Sequence, residues 1–135
     1  MRILFLCVEN AGRSQMAEGF AQTYAPPGME IFSAGSTPAQ KLNPVAVEAM
    51  REKGIEIGRQ IPKGMDSLPQ DPFDVAVAMG CGDACPAHRA NRIIPWDIPN
   101  PKNQPIEAVR EIRDQIEQKV RLLLAELQAP TPRLL

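Results

Sequence analysis

At 135 residues and a formal net charge of −1, the chain has the size of one domain and lacks the basic excess that would draw it to nucleic acid or an anionic membrane. With 44% hydrophobic and 23% charged residues it can bury a core, and no apolar run approaches the ~20 residues of a membrane span. Three cysteines, an odd number, suit functional thiols in a reducing cytoplasm better than a disulfide scaffold.

Met1 leads straight into the apolar run Ile3-Leu4-Phe5-Leu6, which predicts a buried strand over 2–6 and no export signal. A helix is expected over 14–25. Residues 30–34 read as a second strand, stopped by Gly35. Asn43 is a helix N-cap with Pro44 at the first helical position, and that helix should end at Lys53-Gly54. Residues 73–79 form a third strand and 92–94 a short fourth. Ile106, Val109, Ile112, Ile116, Val120, Leu123, Leu124 and Leu127 step by three or four, apart from the adjacent leucines, and predict a last helix whose stripe packs on the core. One domain over 1–128 is expected, with 129–135 as a frayed tail.

Alternating strands and helices imply an α/β, three-layer fold, with a four-stranded parallel sheet flanked by helices. In such sheets ligands bind beyond the carboxyl ends of the strands. Cys7, the segment holding Cys81, and Trp96-Asp97 all follow strands, so they should meet at one rim.

The most informative stretch is Cys7-Val8-Glu9-Asn10-Ala11-Gly12-Arg13-Ser14, between the first strand and the first helix. A loop entering a helix gathers unpaired backbone N–H groups into one concavity, and the helix dipole adds positive charge there. A tetrahedral oxyanion fits such a nest, held by the backbone of Val8, Glu9, Asn10, Ala11 and Gly12 and by the guanidinium fork of Arg13. The same field stabilises a thiolate at Cys7. Ser14 is placed to donate to it, and Asn10 to brace the loop. Cys81 and Cys85 lack an arginine at the same offset, where Ala87 and Asn91 stand. A merely packed turn would not need Asn, Gly, Arg and Ser together.

Cys7 to Gly19 resembles the low-molecular-weight protein tyrosine phosphatase superfamily, and Arg13-Ser14-Gln15-Met16-Ala17-Glu18-Gly19 is most similar to its arsenate reductase branch. The likeness runs to about Leu127. It implies that fold, an oxyanion site and two competing activities. One is arsenate reduction, with phosphate or sulfate as mimics of the substrate. The other is phosphotyrosine hydrolysis.

For reduction, the resemblance makes Cys81 the thiol that attacks the Cys7–arsenic adduct and Cys85 the one that resolves the Cys7–Cys81 disulfide. Both lie in Met79-Gly80-Cys81-Gly82-Asp83-Ala84-Cys85-Pro86, a loop flexible by composition, with fewer residues between the cysteines than many relatives have. A thioredoxin, a glutaredoxin-like protein or a small thiol would then act as reductant. Inert loop cysteines and a zinc site with His88 are the competing readings, the latter short of a fourth ligand.

For hydrolysis, the family places an acid before a proline after the fourth strand. Asn100 stands at that position here, and Asp97 is the candidate substitute or else a turn residue. The candidate catalytic set is therefore Cys7, Arg13, Ser14, Cys81, Cys85 and Asp97. Glu18, Ser33 and Asp66, with Asn10, resemble a potassium site of some arsenate reductases, or are ordinary polar residues bracing the loop. No cofactor is otherwise expected. Lys41, Lys53 and Lys63 read as solvated surface. A cytoplasmic monomer is expected.

Overall fold

The computed structural model describes residues 1–69, 72–80 and 90–128. Four strands, β1 (Arg2–Cys7), β2 (Glu30–Gly35), β3 (Phe73–Ala78) and β4 (Ala90–Pro95), form one sheet in the order β2-β1-β3-β4, and every neighbouring pair is parallel. Three helices, α1 (Arg13–Tyr24), α2 (Pro44–Arg51) and α3 (Ile106–Gln128), pack on one another. No helix among the described residues is long and apolar enough to cross a membrane.

The period-2 alternation of β1 divides the core. Ile3, Phe5 and Cys7 join the cluster that holds Met16 and Phe20 of α1, Met50 of α2 and Ile112, Ile116 and Val120 of α3. Leu4 and Leu6 join Ala34, Leu68, Phe73 and Ala76 on the opposite face, with Met65 of a short 3-10 turn (Met65–Ser67) packed against them. Phe5, Phe20 and Phe73 are fully buried, each contributing roughly 2–3 kcal/mol relative to an exposed ring. The α3 stripe is core packing, as its spacing predicts.

Element boundaries shift for local reasons. α1 stops at Tyr24 because Ala25 precedes Pro26 and takes an extended conformation. Asn43 caps α2 by accepting from Val45 N and Ala46 N. α2 closes at Arg51, with Gly54 at φ +76° in the turn beyond it. β4 is longer than 92–94 because pairing with β3 recruits Ala90 at one end and Pro95 at the other.

Candidate active site

Cys7 ends the central strand, and the chain then turns through 8–12 into α1. A strap formed by 36–43 holds this loop by its carbonyls. Cys7 O accepts from Ser36 N, Val8 O from Thr37 N, Glu9 O from Ala39 N and Ala11 O from Asn43 N, at 2.8–3.2 Å. All peptides here are trans, so each bound carbonyl sends the following N–H the opposite way. The N–H groups of Val8, Glu9, Asn10 and Gly12 therefore turn from the strap. Gly12, at the N-cap of α1, offers no side-chain cap, which leaves the first-turn donors of the helix open. The strap approaches this closely because of Gly35, whose added Cβ would lie 2.5 Å from Val8 O and 2.9 Å from Asn10 N.

Asn10 has φ 52°, a left-handed conformation that asparagine tolerates. Its Oδ1 accepts from Lys63 N at 2.9 Å and Gln15 Nε2 at 2.8 Å. A backbone N–H can only donate, so the amide orientation is fixed. Nδ2 must then donate to Ser14 Oγ at 2.7 Å and Ser33 Oγ at 3.0 Å. Ser14 Oγ lies 2.9 Å from Cys7 Sγ and is the donor whenever Cys7 is a thiolate, which can only accept. Cys7 is thus joined through Ser14 to Asn10. Cys7, Asn10, Ser14, Gln15 and Ser33 are all buried.

Arg13 is buried too, and its Nη1 donates to Ile98 O at 3.2 Å. Gly80, at φ +86°, lies against the same guanidinium, and a Cβ there would collide with it. The segment after β4 therefore reaches the rim as expected, braced by Trp96 against Phe5 with ring centroids 5.9 Å apart. A cavity of about 500 Å³ opens over the loop, lined by Cys7, Val8, Glu9, Ala11, Gly12 and Arg13 on one side. Lys41, Asn43, Asn100, Pro101 and Lys102 are among its other walls. Lys102 ties the far wall to the loop through Glu9, 2.9 Å away. Asp97 is exposed and does not line this cavity, whereas Asn100 does. Cys81, Cys85 and His88 lie outside the described residues.

Asn10, Ser33 and Glu18 meet beneath the loop. Ser33 Oγ donates to Glu18 Oε1, and Lys63 Nζ lies 3.3 Å from that oxygen and 3.1 Å from Ser33 Oγ. Lys63 is thus half-buried and paired inward, whereas Lys53 is exposed, as expected, and pairs with Glu117 at 3.0 Å. Asp66 is exposed. Asn10 turns its donor end to Ser33 and has its oxygen engaged elsewhere. A potassium ion at this place would have to displace the Lys63 ammonium.

Gln15 and Gly80 had no role in the sequence reading. A fully polar amide early in a buried helix is the signal for Gln15, and a glycine directly after a strand the signal for Gly80. Lys63 carried no such signal.

The model of the low molecular weight phosphotyrosine protein phosphatase family matches residues 2–132. The chain is 32% identical over 129 residues to a glutaredoxin arsenate reductase of Synechocystis sp., covering 93% of this chain and 98% of the relative. Among solved structures, an arsenate reductase in the phosphate-binding state superposes with TM-score 0.85 at 30% identity, over 94% of this chain and 98% of the other. A thioredoxin-dependent arsenate reductase of Corynebacterium glutamicum superposes with TM-score 0.77 at 35% identity, over 94% of this chain and 61% of the other. By sequence along nearly its whole length and by fold, the chain belongs to the low molecular weight phosphotyrosine protein phosphatase family.

Proposed function

We propose that the protein is an arsenate reductase of this family. Arsenate binds the N–H groups of the loop and the Arg13 fork. Cys7 thiolate attacks arsenic, forming a sulfur–arsenic bond while water leaves. Cys81 then attacks the Cys7 sulfur. The sulfur–arsenic bond breaks and its electron pair stays on arsenic, so arsenic(V) leaves as arsenite and two thiols become a disulfide. Cys85 exchanges with the Cys7–Cys81 bond, and a thioredoxin, a glutaredoxin-like protein or a small thiol returns two electrons. The protein works as a cytoplasmic monomer.

The observation that carries this reading over phosphotyrosine hydrolysis is the cavity wall. Its one carboxylate among the described residues is Glu9, held by Lys102, and the wall has Asn100 where a phosphatase needs an acid. A tyrosine leaving group needs a proton donor held by the protein; a hydroxyl on arsenic exchanges readily and can leave as water on a proton taken from solvent. None of the described lining residues is aromatic, so nothing there stacks a phenyl ring. The similarity to arsenate reductases over nearly the full chain supports the same side.

The test is arsenite formation with thioredoxin and glutaredoxin systems, run beside hydrolysis of a phosphotyrosine peptide. Arsenite turnover that Cys81→Ser abolishes is expected. Rapid peptide hydrolysis without arsenite, dependent on Asp97, would instead establish the phosphatase.

A further inference from the structure

Glu18 is a carboxylate buried to 6% exposure on α1. An unpaired charge at that depth is costly. Among the described residues, the cation within ion-pairing distance is Lys63, 45 residues away in sequence. The Lys63 backbone is pinned on both sides. Its carbonyl accepts from Gly35 N at 2.9 Å and its N–H donates to Asn10 Oδ1 at 2.9 Å. The side chain then runs inward, and its ammonium donates to Glu18 and Ser33.

The hydrogen bonds of Ser33 are fully used. Its hydroxyl accepts from Lys63 Nζ and Asn10 Nδ2 and donates its single hydrogen to Glu18. The Glu18 carboxylate, which can only accept, draws the Ser33 hydrogen, and the ammonium holds that carboxylate in place beside Ser33. That leaves a lone pair facing Asn10 Nδ2, the same group that orients Ser14 toward Cys7. A hard cation seated between a carboxylate and a hydroxyl oxygen would do the same.

We propose that Lys63 is a tethered cation. Its ammonium takes the place a potassium ion would occupy between Glu18 and Ser33, and it acts as a positioning group for Cys7 through Ser33, Asn10 and Ser14. The protein therefore carries its own activating cation and needs none added. This deepens the reading of the Cys7 loop as the reaction centre.

The test reads Cys7 directly, by its alkylation with iodoacetamide at pH 7 in potassium, sodium or choline chloride at equal ionic strength. Cys81→Ser/Cys85→Ser is the background, so that a single thiol reports. The parent protein should alkylate at one rate in all three salts. Lys63→Ala, which removes the charge and opens space, should slow by roughly five- to tenfold in choline, about one hydrogen bond's worth. Potassium should restore it more than sodium does. Lys63→Met fills the space without charge and should stay slow in every salt, while Lys63→Arg should remain close to the parent.

A parent rate stimulated by potassium would overturn the proposal. So would a Lys63→Ala protein that alkylates at the parent rate in choline, or that potassium fails to restore. If Lys63→Ala does not fold, the Met and Arg variants decide by the same rates. The assay contains no arsenate. A parent protein that forms no arsenite would therefore remove the reductase reading and leave this one standing.

Discussion

The backbone N–H of Lys63 donates to Asn10 Oδ1 at 2.9 Å, across 53 residues of sequence. That bond decides which end of the Asn10 amide faces the active thiol. Because the oxygen is committed to Lys63 and Gln15, the nitrogen must serve Ser14 and Ser33. A buried polar chain that runs in one direction needs such an anchor, since a hydroxyl by itself can donate either way.

Replacing Asn10 by Asp tests that polarity. Aspartate tolerates the φ of 52°, so the turn should survive, while a carboxylate at this fully buried position should lower the melting temperature. The donors to Ser14 and Ser33 disappear. Ser14 is then free to point its hydrogen at the new carboxylate instead of Cys7. Alkylation of Cys7 and arsenite turnover should both fall about tenfold, the scale of one lost hydrogen bond near a charge. Unchanged alkylation would mean that Asn10 only braces the loop.

Gly80→Ala addresses Arg13 from the other side. The φ of +86° alone costs an alanine roughly 1–2 kcal/mol. The methyl group also lands on the Arg13 guanidinium. The guanidinium has to move away from the Ile98 carbonyl that positions it, and so from the anion. Protection of Cys7 by phosphate against alkylation should need roughly tenfold more phosphate. Stability, followed by urea unfolding, should drop by about the strain alone.

The acid side of the stability curve should report Glu52. Arg110 donates to it at 2.7 and 3.0 Å and Arg113 at 2.7 Å. The hydrogen bond from Arg110 is the main cause that lowers its pKa from 4.5 to about 2; partial burial opposes it and Arg113 adds to it. A carboxyl with a depressed folded pKa stabilises above its unfolded value and loses that contribution as pH falls toward the folded one. Glu52→Gln should therefore lower the urea midpoint by a constant amount above pH 4.5. The gap to the parent should shrink as pH falls toward 2. A gap that stays constant across that window would show that the ion pairs contribute nothing to folding.

Much of this site was legible because it is contiguous. Strand, thiol, loop, arginine and helix follow one another within a dozen residues, and each has a local signal. The Asn43-Pro44 cap and the α3 stripe were legible for the same reason. Lys63 was not. Nothing in the sequence around it distinguishes an inward ammonium from a solvated one, because its partners Glu18 and Ser33 sit on other elements. The hold on Arg13 is a backbone carbonyl, that of Ile98, 85 residues away, and a carbonyl has no sequence signature at all. Asp97 and Asn100 were visible as residue types, but only the packing of the segment after β4 shows which of them reaches the cavity.

The most direct test of Cys7 as the first thiol of a redox relay is mass spectrometry of the protein after arsenate treatment and rapid alkylation. The parent protein should show a Cys81–Cys85 disulfide, and Cys85→Ser should trap Cys7 bonded to Cys81. Both links should require arsenate and disappear in Cys7→Ser. Three fully alkylated cysteines after arsenate, with no link in either protein, would contradict the relay.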